Sequence, residues 1–184
     1  AVMAAGMIKH DIYIVGKKDA IEAELQKNKF KGKNIKIVDA AEVITMDDSP
    51  VKAIRRKTES SMVVGLNMVR DGHGDIFISG GNTGALVVGS RMILGRIEGI
   101  ARPVLASIYP CLGGEPSLLV DAGASSEAKA QNLLEYGLMG SIYMEKVWGR
   151  ENPRVGLVNL GVEESKGTSV TKDAYQKLKT ASIN

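Results

Sequence analysis

The sequence predicts an α/β fold with a mostly parallel sheet, because short aliphatic runs alternate with polar turns and helical patterns. The first unit is a strand at 11–15 (DIYIV) followed by a helix at 19–27, and the second strand is 34–38 (NIKIV). Glycine is frequent, at 21 of 184 residues, while aromatic residues make up only 4%. This composition favours tight strand-to-helix turns over an aromatic-rich sandwich or a base-stacking surface.

Two helix starts follow the second strand. Asp48-Ser49-Pro50 places a capping side chain before a proline, which predicts a helix through Lys57. Ser60-Ser61 then predicts a second helix, which ends near Asp71.

Three later units have the same design, in which a strand ends in a glycine-containing turn that opens a helix. They are 75–79 (DIFIS) into GGNTG, 117–120 (SLLV) into DAGASS, and 154–160 (RVGLVNL) into GVEESKG. A further apolar run at 103–108 is joined to 117–120 by the loop 110–116, and this pair is predicted to be antiparallel. Ligands bind outside the carboxyl ends of the strands in open α/β sheets, so we expect the three turns to converge on one crevice.

The overall composition excludes several classes of protein. There are 24 Lys and Arg against 21 Asp and Glu, and 44% of residues are hydrophobic, which excludes a disordered tail and a nucleic-acid binder that relies on bulk charge. Cys111 is the only cysteine, so an intrachain disulfide is excluded and a reducing, cytoplasmic location is expected. No signal-peptide or membrane-span pattern is present in the sequence.

The segment Ser79–Gly84 has the features of an anion-binding turn. It lacks the lysine of a P-loop and the spacing of the dinucleotide motif, so no particular nucleotide is indicated. Its glycines let backbone N–H groups approach an anion, Asn82 and Thr83 add side-chain donors, and a helix N-terminus follows. The alternative is a turn with a structural role alone.

Two other turns carry charged side chains at strand ends. Asp121 is placed to orient a ligand, accept a proton or cap the helix predicted at 128–143. Glu163, Glu164 and Lys166 form either a polar site or an ordinary solvated loop.

Lys52, Arg55 and Arg56 share one face of their predicted helix, since they are spaced at i, i+3 and i+4. This face suits an acidic partner or a phosphate, and the alternative is a solvated basic surface. His10 and His73 have no companion at ligand spacing, so no metal site is expected. Cys111 has no nearby histidine in the sequence, so a thiol nucleophile is not expected either.

Seven segments, in collinear order over nearly the whole chain, resemble the bacterial phosphate acyltransferases of phospholipid synthesis. They are 47–62 (DDSPVKAIRRKTESSM), 78–86 (ISGGNTGAL), 95–103 (GRIEGIARP), 118–124 (LLVDAGA), 132–149 (NLLEYGLMGSIYMEKVWG), 152–167 (NPRVGLVNLGVEESKG) and 171–179 (TKDAYQKLK). The resemblance implies transfer of a long-chain acyl group from acyl carrier protein to inorganic phosphate, without a cofactor, giving acyl phosphate. It also implies a Rossmann-like three-layer αβα sandwich related to phosphotransacetylases, a homodimer, and a transient contact with the inner face of the membrane.

The inventory of residues fits that activity. We assign phosphate to Gly81, Asn82, Thr83 and Gly84, with Asn82 as a candidate catalytic donor to the oxyanion. Asp121 and Lys166 are further catalytic candidates, Glu163 and Glu164 are candidates for orienting the thioester, and the basic face at Lys52, Arg55 and Arg56 is the candidate surface for the acidic carrier protein.

The sequence departs from the family in two places. Family members open with a strand that ends in Asp-Ala-Met-Gly-Gly-Asp, and they continue well beyond the position of Asn184. We therefore expect residues 1–184 to form a single α/β domain that is incomplete at both ends. Two alternative functions stay open: a short-chain phosphotransacetylase that uses coenzyme A, and a non-catalytic module that binds acyl carrier protein or phosphate.

Overall fold

The computed structural model describes residues 1–125, 127–163 and 165–183, and it divides the chain into two compact units, Ala1–Gly95 and Arg96–Asn184. The helices and strands of the first unit are α1 (Val2–Met7), β1 (Ile12–Gly16), α2 (Lys18–Lys27), β2 (Ile35–Asp39), α3 (Pro50–Arg56), α4 (Ser61–Arg70) and α5 (Thr83–Gly89), and α5 continues as a π-helical turn (Ser90–Leu94). Those of the second unit are β3 (Ala106–Tyr109), β4 (Ser117–Val120), α6 (Ala130–Lys146) and α7 (Ser169–Thr180). The predicted α/β class is confirmed, while the single-domain organisation over 1–184 stays a prediction.

The first unit contains a parallel pair of strands, as predicted. Ile12 of β1 lies opposite Ile35 of β2, and the register continues to Gly16 opposite Asp39. At the end of β2, an Asp39 carboxylate oxygen accepts a hydrogen bond of 3.0 Å from the backbone N–H of Lys18. This bond fixes the start of α2 beside the carboxyl end of the neighbouring strand.

Helices α3, α4 and α5 enclose the buried core of the first unit. Its members are Ile44, Ala53, Ile54, Met62, Val63, Leu66 and Ala85. Both predicted helix starts are observed: Pro50 is the first residue of α3, and the Ser60 side chain accepts a hydrogen bond from the Val63 N–H at the start of α4. The side-chain cap predicted before Pro50 is wrong, because Ser49 at the N-cap makes no capping hydrogen bond and the Asp48 carboxylate bonds Thr45 and Lys57 instead. The ring of Phe77 lies where a Cβ on Gly65 would be, so α4 can approach the chain that leads into α5 only with glycine at residue 65.

Two of the strand predictions, at 75–79 and 154–160, are wrong, because these segments do not form hydrogen-bonded strands. Neither 75–79 nor 154–160 is paired with any other segment among the described residues. The alternation that predicted them is nevertheless present, since Ile76 and Ile78 are 78% and 88% exposed and Phe77 between them packs against the core. Periodicity in one segment indicates extended backbone, whereas a strand also needs a neighbour with which to exchange hydrogen bonds.

The second unit contains the predicted antiparallel pair, in which Ala106 lies opposite Val120 and Tyr109 opposite Ser117. The helix predicted at 128–143 is observed as α6, which packs against β4 and α7. The side chains of Leu178 and Val155 lie 3.0 and 3.2 Å from where a Cβ on Gly137 would be. Because glycine has no side chain, α6 can pack closely against these two residues at this position. Among the described helices, none combines the length and the hydropathy needed to span a bilayer.

Candidate functional site

The side chain of Asn82 connects the 79–84 turn to the loop at 45–48. Its Oδ1 accepts a hydrogen bond of 3.1 Å from the Ala85 N–H, which caps the first turn of α5. Its Nδ2 donates to the carbonyl oxygens of Thr45, Met46 and Asp48 at 3.1, 3.2 and 3.3 Å. Asn82 is only 8% exposed. The described geometry therefore uses this side chain to hold the turn, and direct contact between Asn82 and phosphate stays a prediction.

Ser79 and Gly81 close the turn on its other side. The Ser79 hydroxyl donates to the Gly81 carbonyl at 3.0 Å, and the Gly81 N–H lies 3.3 Å from the same hydroxyl oxygen. Gly81 has a φ of +135°, a backbone conformation that favours glycine. A Cβ at this position would also lie 3.1 Å from the sulfur of Met46 in the adjacent loop. The tight turn predicted from the glycines is therefore present.

The turn leaves three consecutive backbone donors available. The N–H groups of Asn82, Thr83 and Gly84 make no hydrogen bond to any described residue, while those of Gly81 and Ala85 on either side are bonded. Thr83 is exposed, and the helical segment 83–94 follows. Free N–H groups at the positive end of a helix form a common arrangement for binding phosphate and other oxyanions.

The loop at 45–48 is itself fixed by an ion pair. The Lys57 ammonium donates to Asp48 Oδ2 at 2.6 Å and to the Val43 carbonyl at 2.9 Å. The same carboxylate oxygen accepts from the N–H and the hydroxyl of Thr45 at 2.7 and 3.1 Å. The Lys57 hydrogen bond, followed by that from the Thr45 N–H, lowers the pKa of Asp48 below its unperturbed value of 3.8. Asp48 is therefore ionised at neutral pH.

Helix α3 lies beside the 79–84 turn and carries the predicted basic face. Lys52, Arg55 and Arg56 are exposed, whereas Ala53 and Ile54 between them are buried in the core, so the three cations do lie on the outer side of the helix. No described residue forms an ion pair with any of them. At the start of α3, Pro50 lies 2.9 Å from where a Cβ on Gly84 would be, which brings the helix directly against the turn.

The Asp121 carboxylate stabilises the second predicted turn by accepting hydrogen bonds from backbone N–H groups. Oδ1 accepts from the N–H groups of Leu105 and Ala124 at 2.9 and 3.0 Å, and Oδ2 accepts from Ser125 at 2.9 Å. It does not cap α6, because that helix begins at Ala130 and the residue at its N-cap is Lys129. Both oxygens are thus already bonded to backbone, and a catalytic role for Asp121 stays a prediction.

The third predicted turn is held by Asn159. Its Nδ2 lies 3.4 Å from the carbonyl oxygens of both Gly161 and Lys166, which spans the turn. Glu163 and Lys166 are exposed, and both line a groove of about 1000 Å³ between the segment 155–166 and α7. Their roles at the site stay predictions. Glu164, the other candidate for orienting the thioester, lies outside the described residues, as does Ser126 of the second turn.

Sequence reasoning missed the residues that hold these turns. The residue pattern predicts only a helix cap at Asp48, and it predicts no role in a site for Thr45, Lys57 or Asn159. Each acts through a contact with distant backbone or with a partner in another segment, so spacing alone carries no signal for it. The described ranges contain no group of three or more His, Cys, Asp and Glu side chains placed to hold a metal ion.

Comparison with known proteins gives a consistent result over the whole chain. Residues 1–184 match the family described as "Fatty acid synthesis protein". A phosphate acyltransferase from Alkaliphilus oremlandii is 50% identical over 177 residues, which cover 95% of this chain and 52% of that protein. Those from Clostridium tetani and Clostridioides difficile are 49% and 44% identical over 94% and 100% of this chain, and over 52% and 54% of their own length. The chain spans about half the length of the curated relatives it matches.

The Asp48–Lys57 pair predicts a specific dependence of stability on pH. Because the pKa of Asp48 is lowered in the folded state, its stabilising effect is fully present above about pH 3.8 and is lost as the pH falls through the lower folded-state value. Asp48→Asn should therefore have a lower urea midpoint than the wild type at pH 7, and this difference should shrink progressively as the pH is lowered below about 3.8. Asp47→Asn is the matched control, because Asp47 is exposed, and it should show little difference at either pH. A difference for Asp48→Asn that is constant with pH would contradict this account.

Proposed function

Because the chain belongs to the fatty acid synthesis protein family, we propose that it carries out the phosphate-binding part of acyl transfer from acyl carrier protein to inorganic phosphate. Its resemblance to the bacterial phosphate acyltransferases is confirmed by the family match and by the named relatives. The proposed product is an acyl phosphate, which supplies phospholipid synthesis. The observation that carries the proposal is the row of three N–H groups in the 79–84 turn that make no hydrogen bond to any described residue.

Phosphate binds the backbone of this turn in our proposal. The N–H groups of Asn82, Thr83 and Gly84 donate to its oxygens, and the exposed Thr83 hydroxyl adds a fourth donor. An anion is favoured there because the donors stand at the positive end of a helix. The loop carbonyls of Thr45, Met46 and Asp48 are kept away from the anion because the Asn82 amide bonds them.

The proposed reaction is a direct attack by phosphate on the thioester. A phosphate oxygen forms a bond to the carbonyl carbon, a tetrahedral oxyanion develops, and the carbon–sulfur bond then breaks to release the carrier's thiol after it takes up a proton. The protein binds and orients the two substrates, and it needs no nucleophile of its own. A donor to the oxyanion is typically worth about 10² to 10³ in rate.

The second and third turns supply further candidates. Asp121 and Lys166 remain proposed catalytic residues, and Glu163 and Glu164 remain proposed for orienting the thioester. The Asp121 carboxylate already accepts three hydrogen bonds from backbone N–H groups, which favours an indirect role. In this role the carboxylate holds the turn around Ala124 and Ser125 in shape. Lys166 is exposed and lines a groove, so its ammonium is accessible to an anionic group.

The acidic carrier protein docks on the basic face of α3 in this proposal. Lys52, Arg55 and Arg56 point away from the core, and their charge is available to steer a negatively charged partner. We also propose the features implied by the family resemblance that the fold alone does not decide: the three-layer αβα sandwich, the homodimer, the cytoplasmic location and the transient contact with the membrane.

Removal of the Thr83 hydroxyl should weaken phosphate binding. Thr83→Val keeps the shape of the side chain and removes one donor, so the Kd for inorganic phosphate measured by calorimetry should rise about tenfold, as for the loss of one hydrogen bond to a charged group. Thr83→Ser is the matched control and should bind nearly as the wild type does. Gly81→Val should also weaken binding, because φ at this position is +135°. Unchanged affinity in both Thr83→Val and Gly81→Val would remove phosphate from this turn.

Charge reversal on α3 should weaken the complex with acyl carrier protein. In the triple variant Lys52→Glu, Arg55→Glu, Arg56→Glu, the Kd should rise at low ionic strength, and the difference from the wild type should shrink as salt is added because exposed charges are screened. Lys27→Glu reverses one exposed charge on α2 and serves as a control for charge reversal away from α3. If the triple variant and the wild type have the same Kd at low salt, this face does not bind the carrier protein and is an ordinary solvated surface.

Direct attack predicts that no acyl-enzyme forms. The Cys111 thiol lies 3.3 Å from the Ser117 hydroxyl and 3.7 Å from the Tyr109 carbonyl, and neither group is a base that would activate it. Cys111→Ala should keep most of its activity in an acyl phosphate assay, and initial-rate lines with acyl carrier protein as donor should intersect. An increase in protein mass by one acyl group in the absence of phosphate would overturn this mechanism. Faster transfer from acetyl-coenzyme A than from the carrier would instead favour the phosphotransacetylase alternative.

A further inference from the structure

We propose that Lys57 and Asp48 are positioning residues for the 79–84 turn, although neither belongs to the turn. The inference rests on the proposed function of that turn and extends it to the groups that hold its donors in place. The ligand concerned is an oxyanion of the phosphate type.

The first step of the argument is the way the ion pair closes the loop before α3. Lys57, just after the end of α3, donates to Asp48 and to the Val43 carbonyl, so it joins the two ends of the segment 43–48. Asp48 also bonds both donors of Thr45. With side chains 31% and 24% exposed, Lys57 and Asp48 are more sheltered than the pair between Lys36 and Asp11 in the same unit, at 49% and 48%.

The second step is what the closed loop presents to the turn. Three of its carbonyl oxygens, from Thr45, Met46 and Asp48, receive the amide hydrogens of Asn82. This arrangement fixes the orientation of the amide, so that Oδ1 faces the Ala85 N–H and caps α5. A loop that opens would release the amide, and Asn82 would then lose both its carbonyl acceptors and its fixed rotamer.

The third step connects the amide to the donors that bind phosphate. While the Asn82 side chain bonds the Ala85 N–H, the N–H groups of residues 82–84 are the ones at the start of the helix that have no acceptor among the described residues. Without the cap, the first turn of α5 is free to fray, and the three donors no longer converge on one anion. The chain of contacts therefore runs from Lys57 through Asp48, the loop carbonyls and Asn82 to the donors.

The test compares four variants of the 184-residue chain by calorimetric titration with inorganic phosphate. Lys57→Met should weaken binding about tenfold, which corresponds to about 1.4 kcal/mol. Lys57→Arg should restore most of the affinity, because a guanidinium can donate to both Asp48 and Val43. Lys36→Met breaks an exposed pair outside the turn and should change affinity by less than about twofold.

Asp48→Asn separates positioning from simple electrostatics, and it also serves if Lys57→Met does not fold. This variant removes a negative charge, so a pure charge effect predicts tighter binding of phosphate, whereas loss of positioning predicts weaker binding. Binding by Asp48→Asn as tight as in the wild type would overturn the inference. The same conclusion would follow if Lys57→Met matched the Lys36→Met control.

Hydrogen exchange at the Ala85 amide tests the positioning role without a ligand. Exchange should be faster in Lys57→Met and Asp48→Asn than in the wild type and in Lys36→Met, under conditions where all four are folded. If the wild type binds no phosphate, the proposed function fails, and the Ala85 amide alone then decides the inference: faster exchange in the two variants supports it, and unchanged exchange overturns it.

Discussion

The side chain of one buried asparagine determines the form of the candidate phosphate site. Asn82 accepts a hydrogen bond from the first turn of α5 and donates to three carbonyl oxygens of the loop before α3, so its two polar atoms join two segments that are far apart in the sequence. Isolated buried polar groups are costly, and here both ends of the amide are bonded. The start of α5, the loop at 45–48 and the three N–H groups of residues 82–84, which have no acceptor in the described part of the chain, all depend on this one arrangement.

The same principle recurs in the second unit. Asp121 bonds three backbone N–H groups around its turn, and Asn159 spans two carbonyl oxygens across the turn that contains Lys166. In each case a polar side chain bonds backbone groups of its own turn, and Asp121 also bonds the Leu105 N–H before β3. Contact with a substrate is consequently expected from backbone N–H groups, including that of Asn82, and from exposed side chains such as Thr83 and Lys166. Less contact is expected from the side chains of Asn82 and Asp121, which are already bonded to backbone.

The sequence predicted local features of the fold well and contacts at a distance poorly. Aliphatic runs located β1, β2 and the antiparallel pair β3–β4, and Pro50 and Ser60 marked two helix starts that the structure contains. The runs at 75–79 and 154–160 were wrongly expected to be paired strands, because alternation describes one segment and pairing requires another. The glycines of the 79–84 turn and the basic face of α3 were visible in the residue pattern, since each is a property of neighbouring residues. The ion pair of Lys57 with Asp48 was not, because it forms only when the loop folds back on α3.

The most direct measurement of the central claim is a titration of the ¹⁵N-labelled chain with inorganic phosphate, followed by the chemical shifts of the backbone amides. The account predicts saturable shifts that are largest at Asn82, Thr83 and Gly84, whose N–H groups have no acceptor among the described residues, and smaller shifts at Gly81 and Ala85, which are already bonded. Shifts centred on another part of the chain, or no saturable shift at the three free amides, would contradict the claim that this turn binds phosphate.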